Sequence, residues 1–460
     1  TTPQKVVSEF QVNTYTTGDQ DSSSVVSLSN GRFVISWTSD DQDGSSQGCF
    51  AQIYGPEGNT IGSEFQLNTS TTNEQLLPIL TPLKTGGFVA VWRDRGSDGD
   101  NQGVFSQVFD ASGAKVGAEF QVNTYTTANQ FNSSAATLEN GNVVLTWWDS
   151  RLDGDEYGIF AQIVAANGSK IGSQFQINTY TNNQQANGEV IALSSGGFFV
   201  TWDSLGQDGS SQGVFGQFFN VDGGKIGSEF QINTHTNNGQ LKPEAAQLSD
   251  GNIIVVWEEN SGQDTSGKGV FGQLIDPSGT KIADEFQIND VTSGDQTVPF
   301  VTALSAGGFV VGWNSVTQDG DGLGIFAKQY SATSEVAGSE FQVNTFSSGD
   351  QSFPHSIAKS IQEIAEGKFL ITWTSNNQDG NGKGVFAQIF SAGTSSSSAG
   401  LPINSSTNAT AAIAKIDAAI KTVNTQRSNL GAISNRLSHT VNNLTNISSN
   451  LSAAKGVIED

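Results

Sequence analysis

The segment SEFQVNT at residues 8–14 recurs along the chain and governs its fold. It returns as SEFQLNT at 63–69 and AEFQVNT at 118–124, and four more copies follow. The phenylalanine of each copy marks a period of 55 residues, with one step of 56: Phe10, Phe65, Phe120, Phe175, Phe230, Phe286 and Phe341. Such a period indicates a repeat architecture in which every unit is one supersecondary structure.

Two further marks follow each copy at matching places. The first is a tryptophan: Trp37, Trp92, Trp147, Trp202, Trp257, Trp313 and Trp373. The second is a glycine, a small apolar residue and a phenylalanine: Phe50, Phe105, Phe160, Phe215, Phe271, Phe326 and Phe386. Seven units are therefore complete.

The sequence pattern of each unit predicts four short strands. In the first unit these are SSSVVSL at 22–28, RFVISWT at 32–38, CFAQIY at 49–54 and IGSEFQLN at 61–68. Asn30-Gly31 is a strong hairpin signal, and Phe33, Ile35 and Trp37 alternate along one face. Seven four-stranded units of this size predict a mainly β fold, a seven-bladed β-propeller. An open β-solenoid or a string of small sandwiches is the alternative.

Closure of the ring leaves a choice between two strands. An eighth copy of the repeat, LPIN at 401–404, is in register with the others. Either this segment or residues 9–14 completes blade seven. We favour 9–14, because closure by the N-terminus protects the sheet edges that invite aggregation. Either arrangement brings the two ends of the ring close together.

Composition excludes several classes of function. Net charge is −24, with 45 acidic against 21 basic residues, so we expect no nucleic-acid binding. No apolar run is long enough for a transmembrane helix, so we expect no membrane insertion. The lone Cys49 rules out a disulfide framework, and we expect it to be a small buried hydrophobe. Because the chain lacks methionine, we expect it to be a processed form or a fragment.

The composition changes after the repeats. Residues 1–390 form the predicted propeller, 391–408 a Ser/Gly/Thr-rich connector, and 409–460 a long helix. The helix carries a heptad seam of apolar residues, and the seam predicts packing against other helices. The seam residues of the predicted assembly interface are Ile416, Ile420, Val423, Leu430, Leu437, Leu444 and Leu451.

The tail, from AAIAKID at 411 to the final IED, resembles the C-terminal helix of bacterial flagellins; LGAISNRL and TVNNL carry the likeness. The resemblance implies a structural subunit that forms a helical homopolymer in the extracellular flagellar filament, for motility. It also implies an N-terminal partner helix, which this sequence lacks. Flagellins insert their surface domain between the two terminal helices, which suits a ring with adjacent ends. The repeats resemble those of large secreted bacterial surface proteins.

The loop after each repeated tryptophan contains an aspartate, and four loops contain a second acid two residues away. Closely spaced carboxylates suit Ca²⁺, yet Asp-Gly is also ordinary turn chemistry, and both interpretations stay open. The candidate calcium ligands, which are the only cofactor site that the sequence suggests, are Asp41, Asp43, Asp98, Asp100, Asp153, Asp155, Asp319 and Asp321.

Binding is expected where the blades differ. The residue after the repeated tryptophan varies, and in blades two and three this neighbourhood contains Arg93, Arg95, Trp148 and Arg151. These residues are candidates for binding a glycan or a host-surface ligand, or ordinary rim residues. In contrast, the repeated Gln52 and Asn13 series predict side chains that satisfy backbone groups between blades.

Three functions compete. The first is a flagellin with a propeller as its surface domain, for motility and adhesion. The second is a secreted propeller adhesin or lectin that oligomerises through its helix. The third is an enzyme on a propeller scaffold, which we do not expect, because the sequence indicates no strand-to-helix nucleophile elbow and contains no H-E-x-x-H motif, and it offers no candidate catalytic residue. We favour the first.

Overall fold

The fold was analysed in a computed structural model of the chain. It describes residues 2–331, 336, 338–354 and 359–393, which fall within one compact unit. These residues form a seven-bladed β-propeller and contain no helix, which confirms the predicted β architecture. Accordingly, no helix that could cross a membrane occurs in this part of the chain. The predicted tail helix at 409–460 lies outside the described residues, as do 394–408 of the predicted connector.

Two short strands precede the first blade, β1 (Gln4–Lys5) and β2 (Phe10–Gln11). Blade 1 contains β3 (Gln20–Ser27), β4 (Phe33–Asp40), β5 (Gln47–Tyr54) and β6 (Thr60–Gln66). Blade 2 contains β7 (Gln75–Pro82), β8 (Phe88–Arg95), β9 (Gln102–Phe109) and β10 (Lys115–Gln121). Blade 3 contains β11 (Gln130–Thr137), β12 (Val143–Asp149), β13 (Gly158–Val164) and β14 (Lys170–Gln176).

The remaining blades repeat this plan with shorter outer strands at the end of the chain. Blade 4 contains β15 (Gln185–Ala192), β16 (Phe198–Leu205), β17 (Gln212–Phe219) and β18 (Lys225–Gln231). Blade 5 contains β19 (Gln240–Gln247), β20 (Ile253–Glu259), β21 (Gly269–Ile275) and β22 (Phe286–Gln287). Blade 6 contains β23 (Gln296–Ala303), β24 (Phe309–Val316), β25 (Leu323–Tyr330) and β26 (Phe341–Gln342). Blade 7 contains β27 (Gln351–Ser352), β28 (Ile361–Ala365), β29 (Lys368–Asn376) and β30 (Lys383–Ser391).

Every blade is an antiparallel sheet, and in blades 1 to 6 the strands pair in chain order. In blade 7, β27 and β28 both pair with β29. The first strands of neighbouring blades contact one another around the central axis, and the fourth strands form the rim. The second and third strands are buried on both faces, which explains their nearly continuous apolar sequences.

The core is divided among the blade junctions. It consists of seven apolar clusters, each built from two neighbouring blades and each containing one fully buried repeated tryptophan. The cluster between blades 1 and 2 contains Trp92 and Cys49, and Cys49 is fully buried, as predicted. Because each blade buries both faces only against its neighbours, the ring is the smallest unit that completes the core.

The N-terminus closes the ring. Strands β1 and β2 pair antiparallel with β30, so Phe10 lies opposite Ala387 and Lys5 opposite Phe390. Val12 is buried in the cluster shared by blades 7 and 1. The prediction that residues 9–14 complete blade seven is therefore confirmed. Closure covers the edge of β30, which would otherwise present unpaired backbone groups.

A buried amide contact joins each blade to the next, and we call it the junction latch. In blade 1, Asn68 Oδ1 accepts the N–H of Cys49 at 2.9 Å, while Asn68 Nδ2 donates to Gln75 Oε1 of blade 2 at 3.0 Å. The Asn–Gln bond occurs at all seven junctions, including the closing one, where Asn13 contacts Gln20 at 3.1 Å. The predicted role of the Asn13 series between blades is confirmed.

The glutamate of SEFQVNT joins neighbouring outer strands. Glu119 Oε2 accepts the N–H of Thr69 from the preceding blade at 2.6 Å, and Glu9 Oε2 accepts the N–H of Thr345 at 2.5 Å across the closing junction. One short motif therefore supplies the rim strand, the junction latch and this second contact. These shared tasks explain why the motif recurs in every repeat.

The Gln52 series differs from the prediction. Gln52 Nε2 donates to the carbonyl of Ile61 at 3.1 Å, and Gln107 Nε2 to that of Val116 at 3.1 Å. Both contacts lie within one blade, where a bulge interrupts pairing between the third and fourth strands. These glutamines satisfy carbonyls that the bulge frees, rather than groups between blades.

We expect removal of residues 1–13 to lower the free energy of unfolding by more than about 4 kcal/mol. The deletion removes both strands that cover β30 and the Asn13 latch, and it exposes an unpaired edge. Urea denaturation and size-exclusion chromatography of the shortened chain test this. A chain that instead ends at residue 393 is the control and should unfold like the parent. Equal stability of the N-terminally shortened chain would contradict closure by these residues.

Candidate functional site

The ring has two different faces. Gln20 pairs with Ser39, and Asp40 with Gln47, so the Asp-Gly loops lie at one end of the blades, which we call the loop face. The tight turns, such as Asn30-Gly31, lie at the opposite end, which we call the turn face. Strand β1 pairs with the last residues of β30, so the two ends of the ring lie together on the turn face.

The repeated aspartates stabilise their own loops. Asp43 Oδ1 accepts the N–H of Ser45 at 3.0 Å, a contact repeated in the other six loops. The second carboxylate oxygen faces amide donors in blades 1 and 6, where Gln66 Nε2 and Asn344 Nδ2 each donate at 3.0 Å. These bonds match the turn interpretation of the sequence.

The second acids hold the neighbouring loop. Asp100 Oδ2 accepts the N–H of Ala128 at 2.8 Å, and Asp155 Oδ2 accepts that of Asn183 at 2.8 Å. Asp321 makes the same contact with Gly349 at 3.0 Å. Asp41 instead occupies a left-handed position, with φ of 56°, where blade 2 carries Gly96.

The described residues contain no group of three or more His, Cys, Asp or Glu side chains that could hold a metal. In blades 2 and 3 the Oδ1 atoms of Asp98 and Asp153 accept backbone N–H groups, whereas their Oδ2 atoms are buried without a hydrogen-bond partner. Calcium binding by the eight aspartates stays a prediction.

The variable position after the repeated tryptophan has a structural role in four blades. Its side chain accepts a backbone N–H from a bulge in the first strand of the next blade. The pairs are Thr38 with Leu77 at 3.0 Å, Asp203 with Lys242 at 3.0 Å, Glu258 with Val298 at 3.3 Å and Asn314 with Phe353 at 2.8 Å. In blades 2 and 3 this position holds Arg93 and Trp148, whose side chains contain no acceptor.

Arg93 and Trp148 lie in one stack of four side chains, which we call the aromatic stack. The Arg93 guanidinium lies over Phe131, with its carbon 5.3 Å from the ring centroid. Phe131 stacks on Trp148 with centroids 4.1 Å apart, and Tyr157 meets Trp148 edge-on at 4.8 Å. The sequence analysis missed Phe131 and Tyr157. Phe131 lies directly opposite Trp148 in the strand register, which aligned repeats would have shown.

The other two predicted arginines lie outside the stack. Arg95 pairs with Glu74 at 2.9 Å. Arg151 lines a depression of about 460 Å³, together with Asp155, Glu156 and Tyr157. Tyr157 therefore connects the aromatic stack with this depression. The four residues predicted from the sequence are brought to one region of the loop face but not to one point.

A second unusual site lies on the axis. A cavity of about 380 Å³ between the first strands is lined by Glu189, Glu244 and Lys359. Lys359 Nζ lies 3.8 Å from Glu189 Oε1, and both glutamates are only 5% exposed. Burial raises the pKa of both carboxyl groups; Glu189 raises that of Glu244 further, and Lys359 opposes both shifts.

The axial glutamates are departures from the repeat. The strand register aligns their position with neutral residues in the other blades: Ser24, Ile79, Ser134, Phe300 and Ser360. The sequence analysis did not identify this pair, although an alignment of the repeats would have shown two acids in adjacent blades. Two carboxylates and one lysine leave one uncompensated charge at neutral pH, unless a proton is bound.

The tail of the chain is similar in sequence to a known protein family. Residues 413–460 match the family described as bacterial flagellin C-terminal helical region. A flagellin of Clostridium tyrobutyricum is 53% identical over 60 residues, which are 13% of this chain and 16% of that protein. Flagellin A of Vibrio cholerae is 53% identical over 49 residues, 11% of this chain and 13% of that protein. The chain thus matches only a small part of the length of these relatives.

Comparison with solved structures shows the propeller fold alone. A protein of unknown function from Dyadobacter fermentans aligns with a TM-score of 0.52 at 10% identity, over 85% of this chain and 99% of that one. An α-L-arabinanase of Penicillium chrysogenum, solved with arabinobiose, aligns with a TM-score of 0.46 at 13% identity, over 69% of this chain and 93% of that one. At these identities no activity is transferred to the present chain.

We expect Glu244→Gln to stabilise the propeller at neutral and alkaline pH. The pKa of Glu244 is raised in the folded protein, so the fold favours the protonated carboxyl group. The contribution of Glu244 to stability is therefore fully present below the usual pKa of 4.5 and is lost as the pH rises and the carboxyl group ionises. The amide keeps the shape of the side chain without the charge. The free energy of unfolding should rise by about 1 kcal/mol or more at pH 8 and change little at pH 4.

Urea denaturation at both pH values measures this difference. The exposed Glu366→Gln is the matched control and should show no pH-dependent gain. A Glu244→Gln variant that is less stable than the parent at pH 8 would contradict the assignment, because the carboxylate would then be stabilising.

Proposed function

We propose that the chain is a structural subunit of a flagellar filament and that its propeller is the surface-exposed domain. The observation that carries this proposal is the match of residues 413–460 to the flagellin C-terminal helical region. Its place of action would be outside the cell, and its main partner would be further copies of itself.

The tail sequence supports assembly by helix packing. The seam residues repeat every seven positions from Val423 to Leu451, the spacing at which helices pack with interlocking side chains. A lone helix cannot bury such a seam, so it requires partner helices. These would come from the same subunit and from its neighbours in the filament.

The position of the ring ends supports the placement of the propeller. Gln4 pairs with Ser391 on the turn face, so segments before and after the ring start from nearly the same place. A domain with adjacent ends can be inserted into another structure without disturbing it. The loop face lies at the end of the blades opposite these ring ends.

We infer a structural rather than catalytic role for the propeller. Asp100, Asp155 and Asp203 each accept a backbone N–H group from a neighbouring loop or blade, which fixes the geometry of these segments.

A secreted adhesin or lectin is the second candidate. The aromatic stack favours it, because Arg93 and Trp148 replace residues that serve the fold in four other blades. The two candidates differ in what the tail does: a filament subunit needs it for helical assembly, whereas an adhesin would need it only to oligomerise.

We expect Leu437→Asp to abolish filament assembly and to leave the propeller folded. A carboxylate in the seam would be buried without a partner when the helices pack, at a cost of several kcal/mol. Electron microscopy of the full-length protein, native and variant, shows whether filaments form. The melting transition of the propeller shows whether this domain is folded.

Asn442→Asp is the matched control. It introduces the same charge five residues later, on the face opposite the seam, and should assemble normally. Normal filaments from the Leu437→Asp protein would contradict the proposal. Discrete soluble oligomers from the native protein, in place of filaments, would favour the adhesin.

A further inference from the structure

We propose that the loop face of blades 2 and 3 binds an acidic saccharide, with Arg93 pairing its carboxylate and the surrounding aromatic and polar side chains holding its sugar rings. The inference deepens the proposed function, because it names a ligand for the outer domain. It depends on the propeller alone, so its test does not require a filament.

The first argument is the unpaired charge of Arg93. Its side chain is partly buried, its Nε is buried without a hydrogen-bond partner, and no carboxylate of the described residues lies within ion-pair distance of it. Burial lowers the pKa of the guanidinium, and neighbouring Arg95 lowers it further. The chain contains 45 acidic residues, so the unpaired guanidinium of Arg93 does not result from a shortage of carboxylates. An anionic ligand would supply the missing partner.

The second argument is the distribution of arginine. The described residues contain four arginines, and three of them lie at the loop face of blades 2 and 3: Arg93, Arg95 and Arg151. The fourth, Arg32, lies at the turn face and donates to the carbonyl of Ala111. Arginine is the residue that pairs with planar anions through two parallel hydrogen bonds. Among the described residues, this region is the one that holds more than one guanidinium group; Arg95 pairs there with Glu74, and Arg151 lies beside Asp155 and Glu156, which leaves Arg93 as the guanidinium without an ion pair.

The third argument is the aromatic surface. Trp148 is the one tryptophan of the chain outside the seven repeated positions, and it is partly exposed. With Phe131 and Tyr157 it forms a rigid apolar surface beside Arg93. Aromatic rings bury apolar area at a low entropy cost, which suits the C–H faces of sugar rings.

The adjacent depression offers the polar contacts that a sugar needs. Its lining contains the amide and hydroxyl side chains of Asn101, Asn129, Ser150 and Gln184, together with Arg151, Tyr157 and the carboxylates of Asp155 and Glu156. The carboxylates leave this depression to the neutral hydroxyl-bearing part of the ligand, while the ligand's own carboxylate stays at Arg93. Sugar hydroxyls require donors and acceptors in about equal number, and amides provide both. A saccharide that reaches from Arg93 across Tyr157 would therefore place its carboxylate at Arg93, its first ring on the aromatic surface and its hydroxyl groups at the amide side chains.

The fourth argument is that Arg93 and Trp148 give up a contact between blades that this position makes in four other blades. Thr38 shows what the position requires, since its hydroxyl accepts the N–H of Leu77 from the next blade. Arg93 and Trp148 cannot make that contact. Departures from a consistent structural pattern are expected at functional sites.

The test compares Arg93→Thr with the parent. Threonine is the residue of blades 1 and 7 at this position, so the variant should fold and melt at or above the temperature of the parent. Isothermal titration of the full chain with oligogalacturonate and with sialyllactose measures binding of carboxylated saccharides. We expect binding of at least one of them, weakened at least about tenfold by Arg93→Thr, since a charged hydrogen bond contributes about 1.5–3 kcal/mol.

Two further variants sharpen the result. Trp148→Thr should weaken binding in the same way, while Arg32→Gln on the turn face should bind like the parent. A neutral oligosaccharide of equal length should not bind. Failure of both acidic saccharides to bind, equal binding by the folded Arg93→Thr protein, or binding of heparin alone would overturn the proposal. Assembly of the Arg93→Thr protein should stay normal, so loss of binding and loss of filaments are separable.

Discussion

The amide contact between one blade and the next is the interaction on which the propeller depends. Each repeated asparagine, such as Asn68, uses its carbonyl oxygen inside its own blade and its amide nitrogen across the junction to a glutamine, such as Gln75. The pair is buried, so loss of either partner would leave the other unsatisfied in an apolar environment. Because the bond is directional, it also sets the position of neighbouring blades, which apolar packing alone would not do.

The same contact explains how a linear chain becomes a ring. Asn13 precedes the first complete blade, yet it accepts from Val385 and donates to Gln20. The N-terminal strand therefore does for blade 7 what the fourth strand does in every other blade. The tryptophan clusters follow the same rule, since the seventh cluster is completed by residues from both ends of the ring.

The informative sites are those where the repeat is broken. Most of the repeated polar residues form hydrogen bonds that stabilise loops, bulges or junctions. A ring of identical blades would have few polar residues without such a structural role. Two places depart from this pattern: the aromatic stack at the loop face, and the acidic pair on the axis. At the loop face, arginine and tryptophan replace side chains that accept a hydrogen bond in four other blades; on the axis, two glutamates replace neutral residues. Each set of replacements lies in two adjacent blades. A repeat protein can acquire such a site at little cost in stability, because the junctions with neighbouring blades hold the altered blades in place.

The sequence by itself determined the number of blades, the four strands in each, the tryptophan core and the likeness of the tail to flagellins. These features are periodic or local, so they can be read from spacing and alternation. Only the tertiary structure decided that residues 9–14 close the ring, that the Gln52 series acts within a blade, and that Asp100 and Asp155 hold neighbouring loops. It also brought Phe131 to Arg93, Tyr157 to Trp148, and Lys359 to Glu189. The physical reason is that each of these contacts joins residues distant in sequence, whose meeting depends on strand register and ring closure rather than on local pattern.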